Sequence, residues 1–183
     1  MARLPLHDPA TAPGSAGALL ERIAGERGKA FNVYRAMAGS PGVLEHMYGF
    51  ASYLWNDSAL DRRLIELTIL RVAQLTDSDY EWCRHRDVAR RVGVTDSQVD
   101  ALAGWREAPD GLFDATERAA LALAEEATLE VEAGAPAVAA VEELLGEQAT
   151  LELVVLAGFY GMVSRILRSL AVDPEPGDVP IPR

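Results

Sequence analysis

The sequence predicts an all-α protein, a single-domain helical bundle. Three observations lead there. Apolar residues recur at helical spacing through most of the chain, no stretch makes a convincing two-residue strand period, and helix start and stop signals fall between the periodic segments. With 183 residues, 49% of them apolar, the chain suits one compact domain with a substantial core.

The elements follow in order. Residues 1–14 carry Pro5, Pro9 and Pro13 without periodicity and are expected to form a flexible N-terminal arm. The helical domain is expected over 15–172. Its first helix spans 15–27, with Ala18, Leu19, Leu20 and Ile23 apolar. "AFNVYRAMAG" makes a second, short one. Ser40 is placed to cap a third that starts at Pro41, where proline is favoured, and runs to about Leu54. A fourth is expected from about Ser58 to Gln74, and a fifth from Ser78 to Val92, stopped by Gly93. Thr95-Asp96-Ser97-Gln98 reads as a capping box for a sixth. "GWREAPDG" reads as a loop, and helices follow at 114–131, 136–145 and 148–171. Residues 173–183, with four prolines, are expected to be an irregular tail.

The net charge of −11 argues against nucleic acid, because phosphate contacts need clustered Lys and Arg, and equally against an anionic membrane surface. One cysteine excludes an intramolecular disulfide and a cysteine-built zinc site. The N-terminus has no apolar core of signal-peptide length, so a cytoplasmic protein is expected. No phosphate loop or metal-ligand cluster is visible, so no cofactor and no metal are expected. Leu64, Ile65, Leu67, Ile69, Leu70, Val72 and Leu75 point nearly all round their helix, and "LELVVLAGFYGMV" does the same. Such helices are buried on all sides, in a core or between subunits, and a homo-oligomer is expected.

The informative stretch is "SDYEWCRH". At about 100° per residue, His85 falls about 40° from Glu81, Ser78 about 60°, and Val88 and Val92 within about 20°. The pair therefore shares a stripe with two valines that should face the core. Residues four apart on a helix can touch. A polar pair so placed must be desolvated, and sharing a proton resolves the cost. The same environment moves pKa values toward general acid–base use, although a pair that only fixes packing has the same spacing. Glu66 sits in the all-round apolar helix, with Arg62 one turn earlier as a partner. Cys83 falls about 200° from Glu81, on the charged side with Arg90, where arginines could activate its thiol.

"RLIELTILRVAQLTDSDYEWCRHRDVARRVGVTDSQVDAL" closely resembles the core of the carboxymuconolactone decarboxylase family, whose superfamily includes the alkylhydroperoxidase D proteins. Glu66 matches the family's buried glutamate, His85 its histidine and Gly93 its glycine. Where the peroxidase branch has Cys-x-x-Cys, this chain has Ser78 and Glu81, so both redox cysteines are absent, and Cys83 replaces neither. "YEW" before the histidine resembles the decarboxylase-type branch. The resemblance covers roughly residues 30–172 and implies an alkylhydroperoxidase D-like bundle around an antiparallel helix pair. It also implies a trimer or hexamer, a dimer being the other possibility.

Three functions are consistent with these residues. The first is a cofactor-free acid–base enzyme that decarboxylates or isomerises a small carboxylated or lactone-type metabolite. In it Glu66, Glu81 and His85 are catalytic, His85 donating the proton, and Arg71, Ser78 and Trp82 are substrate-binding, with Arg71 set to receive a carboxylate. The second is a peroxiredoxin-like activity through Cys83, which needs an outside thiol to resolve the sulfenic acid. The third is a non-catalytic oligomeric binding protein.

Overall fold

The computed structural model describes residues 2–182, and among these the chain is helical with no strand. It falls into two compact units. One takes the N-terminal residues to Asp57 together with Ile166–Asp178; the other takes Ser58–Arg165 and the residues from Val179 on.

In the first unit, α1 (Ala16–Arg27) buries the stripe Ala16, Leu20 and Ile23. That stripe packs with Met37, from α2 (Asn32–Met37), and with Leu44 and Tyr48, from α3 (Pro41–Asn56). Proline opens α3 as expected, but the Ser40 side chain makes no capping hydrogen bond; Pro41, with no N–H to satisfy, starts the helix unaided. Both chain ends are irregular in backbone, yet they are held. The Arg3 N–H donates to the Leu170 carbonyl at 2.7 Å, and the His7 N–H to that of Arg35 at 3.1 Å. Glu175 accepts from the Asn32 N–H at 2.8 Å. Gly17 lets the N-terminal segment pass closely, because a Cβ there would stand 2.5 Å from the Pro9 carbonyl oxygen.

The second unit is organised on α4 (Arg62–Leu75) and α5 (Asp79–Arg91), an antiparallel pair joined by the turn Thr76–Ser78. Asp77 takes φ +51 in that turn, a conformation that Asp tolerates better than most residues. Every residue of α4 from Leu64 to Ala73 is buried, as its all-round apolar pattern requires. The helix starts later than Ser58, because Asp61 caps it through the N–H groups of Arg63 and Leu64. Leu67, Leu70, Ala73 and Trp82 form one core with Val99, Leu102, Trp105, Phe113 and Leu121. The capping box at Thr95 opens α6 (Asp96–Ala101) as expected, and a second box, Asp114 with Glu117, opens α7 (Ala115–Leu129). Part of the expected 104–111 loop is instead a 3₁₀ helix, Leu102–Glu107. It is pinned where the Trp105 indole N–H and Arg106 both donate to Glu125, at 3.1 Å each.

The last helix, α8 (Ala135–Ser169), is broken at Gly146, where φ +81 suits glycine, so the two expected segments meet there. By length and composition α8 is long and apolar enough to cross a membrane, but 61% of its most apolar window is buried, as in a core helix.

Candidate active site

The α4–α5 pair sets three titratable side chains against one another. Glu66 projects from the middle of α4, where only apolar neighbours flank it in sequence, and its side chain is 1% exposed. Glu81 and His85 lie one turn apart on α5, within the expected stripe. His85 Nδ1 is 2.9 Å from Glu66 Oε2, and His85 Nε2 is 3.4 Å from Glu81 Oε2. The imidazole is thus held at both nitrogens, tightly by Glu66 and loosely by Glu81. Glu66, not matched to Arg62, takes its hydrogen bond from His85, and Arg62 is exposed.

The electrostatics follow from that geometry. Burial pushes the His85 pKa down, because it penalises the charged ring. The charge of Glu66 and its hydrogen bond outweigh burial, Glu81 adds to them, and the pKa is raised to about 10. At neutral pH the ring is therefore an imidazolium: Nδ1–H donates to Glu66, and Nε2 faces Glu81 as an ion pair at 3.4 Å. Glu66 Oε1 remains buried without a hydrogen-bond partner among the described residues, as do Ser78 Oγ and Trp82 Nε1.

Tyr160 of α8 completes the surroundings. Its ring stands perpendicular to His85, with centroids 5.1 Å apart and an interplanar angle of 88°, and Phe159 packs edge-on to it in turn. The sequence marks this segment as buried, in a core or between subunits, and does not set it beside His85. The aromatic pair in "AGFYGM" was the only local signal, and nothing in it named the partner.

Two expected site residues stand differently. Arg71 does not await a substrate carboxylate: its Nε and Nη2 donate to Glu125 Oε2 at 3.1 and 2.5 Å, and Nη1 donates to Gln74 and to the Ala103 carbonyl. On α4 it lies about 140° round from Glu66, at about 100° per residue, so it serves another face. Cys83, placed by its wheel angle on a charged side, is buried at 8% exposure, and its thiol donates to the Val179 carbonyl at 3.1 Å. Residues 179–182 run along that side: the Ile181 N–H donates to Asp79 Oδ1, and Ile181 packs on the core of the unit. Arg90 is paired with Asp87 and Asp96. Among the described residues no group of three or more His, Cys, Asp or Glu is arranged to hold a metal ion.

This fold has known counterparts. A peroxidase-related protein from Silicibacter sp. TM1040 superposes with TM-score 0.81 at 20% identity, over 96% of this chain and 92% of that one. A protein from Ralstonia eutropha JMP134, described as an alkylhydroperoxidase AhpD core, gives TM-score 0.81 at 18% identity over 98% of each chain. The debrominase Bmp8, in complex with 2,3,4-tribromopyrrole, gives 0.79 at 16% identity, over 96% of this chain and 92% of that one. No curated protein matches the chain. The model of the carboxymuconolactone decarboxylase family matches residues 41–126, which hold Glu66, Glu81 and His85. That stretch of the chain is therefore similar to the carboxymuconolactone decarboxylase family, and the structural neighbours share the fold of the whole chain.

Proposed function

We propose that this chain is a cofactor-free acid–base enzyme that decarboxylates or isomerises a small carboxylated or lactone-type metabolite, with His85 as proton donor. The observation that carries the reading is the clamp on His85. A histidine whose pKa is raised to about 10 by two buried carboxylates holds a proton at neutral pH. Nδ1 is the fixed end, and Nε2, whose partner stands at 3.4 Å, is the end a substrate can reach by displacing Glu81. In a decarboxylation, the bond from carbon to the carboxylate breaks, carbon dioxide leaves, and the electron pair stays as a dienolate. The Nε2 proton then goes to carbon, and water returns a proton to the ring. In an isomerisation, Glu81 removes a proton from one carbon, His85 delivers one to another, and the proton on Glu81 then passes to His85 Nε2 to reset the pair. Glu66 holds the ring in place and favours its charged form before the transfer and after the proton is returned.

Cys83, buried with its thiol bonded to a backbone carbonyl, does not favour a peroxidase reading. We place the enzyme in the cytoplasm, and we assign it a homo-oligomeric state in keeping with the exposed Leu151, Val154 and Met162 on α8. The test is a screen of keto acids and lactones in deuterated water, following carbon-bound deuterium in the product. Wild type and Cys83→Ser are expected to give labelled product and His85→Ala none. Dithiol-dependent hydroperoxide reduction that vanishes in Cys83→Ser would overturn the reading.

A further inference from the structure

The clamp on His85 leaves one acceptor over. Glu66 Oε2 is used by His85, but Oε1 of the same buried carboxylate has no hydrogen-bond partner among the described residues. Native structures rarely leave a buried carboxylate oxygen unpaired, because its desolvation is not returned. Ser78 Oγ and Trp82 Nε1 are also buried and unpartnered. At about 100° per residue they lie about 60° and 100° from Glu81, on the side of α5 where His85 lies. The open valences on Glu66 and this arc of α5 are thus one acceptor, one donor and one hydroxyl that serves as either.

Charge narrows what fits. The cluster sets two acidic side chains, Glu66 and Glu81, about a single histidine. Arg71, the cation expected to offset a substrate carboxylate, is bound to Glu125. Arg62, one turn before Glu66, is exposed to solvent, where its field is screened. An anionic group brought to Oε1 would set one acceptor against another, with the Glu81 carboxyl close by. A neutral N–H or O–H would meet an acceptor in need of a partner. The perpendicular ring of Tyr160 supplies an apolar surface beside His85.

We propose that the ligand group seated at this cluster is a neutral O–H or N–H on a planar unsaturated ring, donating to Glu66 Oε1, and that any carboxylate of the substrate points away from the three residues. This deepens the acid–base reading and rests on it for its catalytic meaning, but binding alone tests it. The probes share one ring: phenol offers the donor, anisole lacks it, and benzoate replaces it with an anion. Each is titrated into the full-length protein while the His85 ring signals are followed by NMR. Phenol is expected to move them, with anisole and benzoate at least about tenfold weaker. Glu66→Gln is expected to weaken phenol by at least about tenfold. Should that variant fail to fold, the comparison of phenol with anisole in the wild type decides alone. Benzoate or anisole binding as tightly as phenol would overturn the proposal. So would His85 signals that no probe moves, since a buried water alone would then satisfy Oε1. Phenol binding as described, in a protein that shows no turnover, would retire the acid–base reading and leave the ligand class standing.

Discussion

Replacing Glu66 by glutamine keeps the side-chain volume and removes one negative charge from the closer partner of His85. In the wild type, burial lowers the His85 pKa, and Glu66 provides the largest opposing effects, through its charge and its hydrogen bond at 2.9 Å. Without that charge, burial is opposed by Glu81 alone, from 3.4 Å. The His85 pKa is then expected to fall by about two units, and each unit is worth about 1.4 kcal/mol. The sign of the pH effect is fixed by the direction of the shift. The folded-state pKa, about 10, lies above the unfolded value of 6.5, so folding binds the proton more tightly. The stabilisation is fully present below 6.5 and is lost as pH rises through about 10. Urea unfolding of wild type and Glu66→Gln across that window reads the effect. The wild type is expected to lose stability steadily with pH, and the variant is expected to have a profile flatter by about 3 kcal/mol across the window. A wild-type profile as flat as the variant's would refute the reasoning, because Glu66 would then not be holding a proton on His85.

Other substitutions separate the site from its scaffold. Arg71→Ala leaves Glu125 with Trp105 and Arg106 as partners and is expected to cost about 2 kcal/mol in urea unfolding, with substrate KM unchanged. The Cys83 thiol is expected to react with an aromatic disulfide reagent at least about tenfold more slowly in the folded protein than in urea, because it is buried and bonded to Val179. Gly17→Ala puts a methyl group 2.5 Å from the Pro9 carbonyl oxygen. Thermal unfolding is expected to show a loss of about 1–3 kcal/mol.

What could be read from the sequence was what a single helix can carry. Glu81 and His85 share a face because they are four residues apart, and Glu66 stood out because a carboxylate in an all-round apolar helix needs a partner. The helix starts at Pro41 and Thr95 were legible for the same reason, since their signals are local. The rest depended on contacts between distant segments. Arg71 looked free because its partner, Glu125, lies 54 positions away on α7. Cys83 falls on a charged side of its own helix, and its partner, the Val179 carbonyl, lies 96 positions away near the far end of the chain. Tyr160 faces His85 across 75 positions, and no spacing within either helix brings them together. The start of α4 was misplaced because Asp61, rather than Ser58, supplies the oxygen that caps it.

The most direct measurement is the protonation state of the His85 ring, read from nitrogen-15 chemical shifts of the labelled wild-type protein near pH 8. Both ring nitrogens are expected to carry protons there, with the charge lost only as pH approaches about 10. A neutral tautomer near pH 8, titrating close to the ordinary histidine value, would contradict the central claim. His85 would then have no proton to donate at neutral pH, and the clamp of Glu66 and Glu81 would be a packing device.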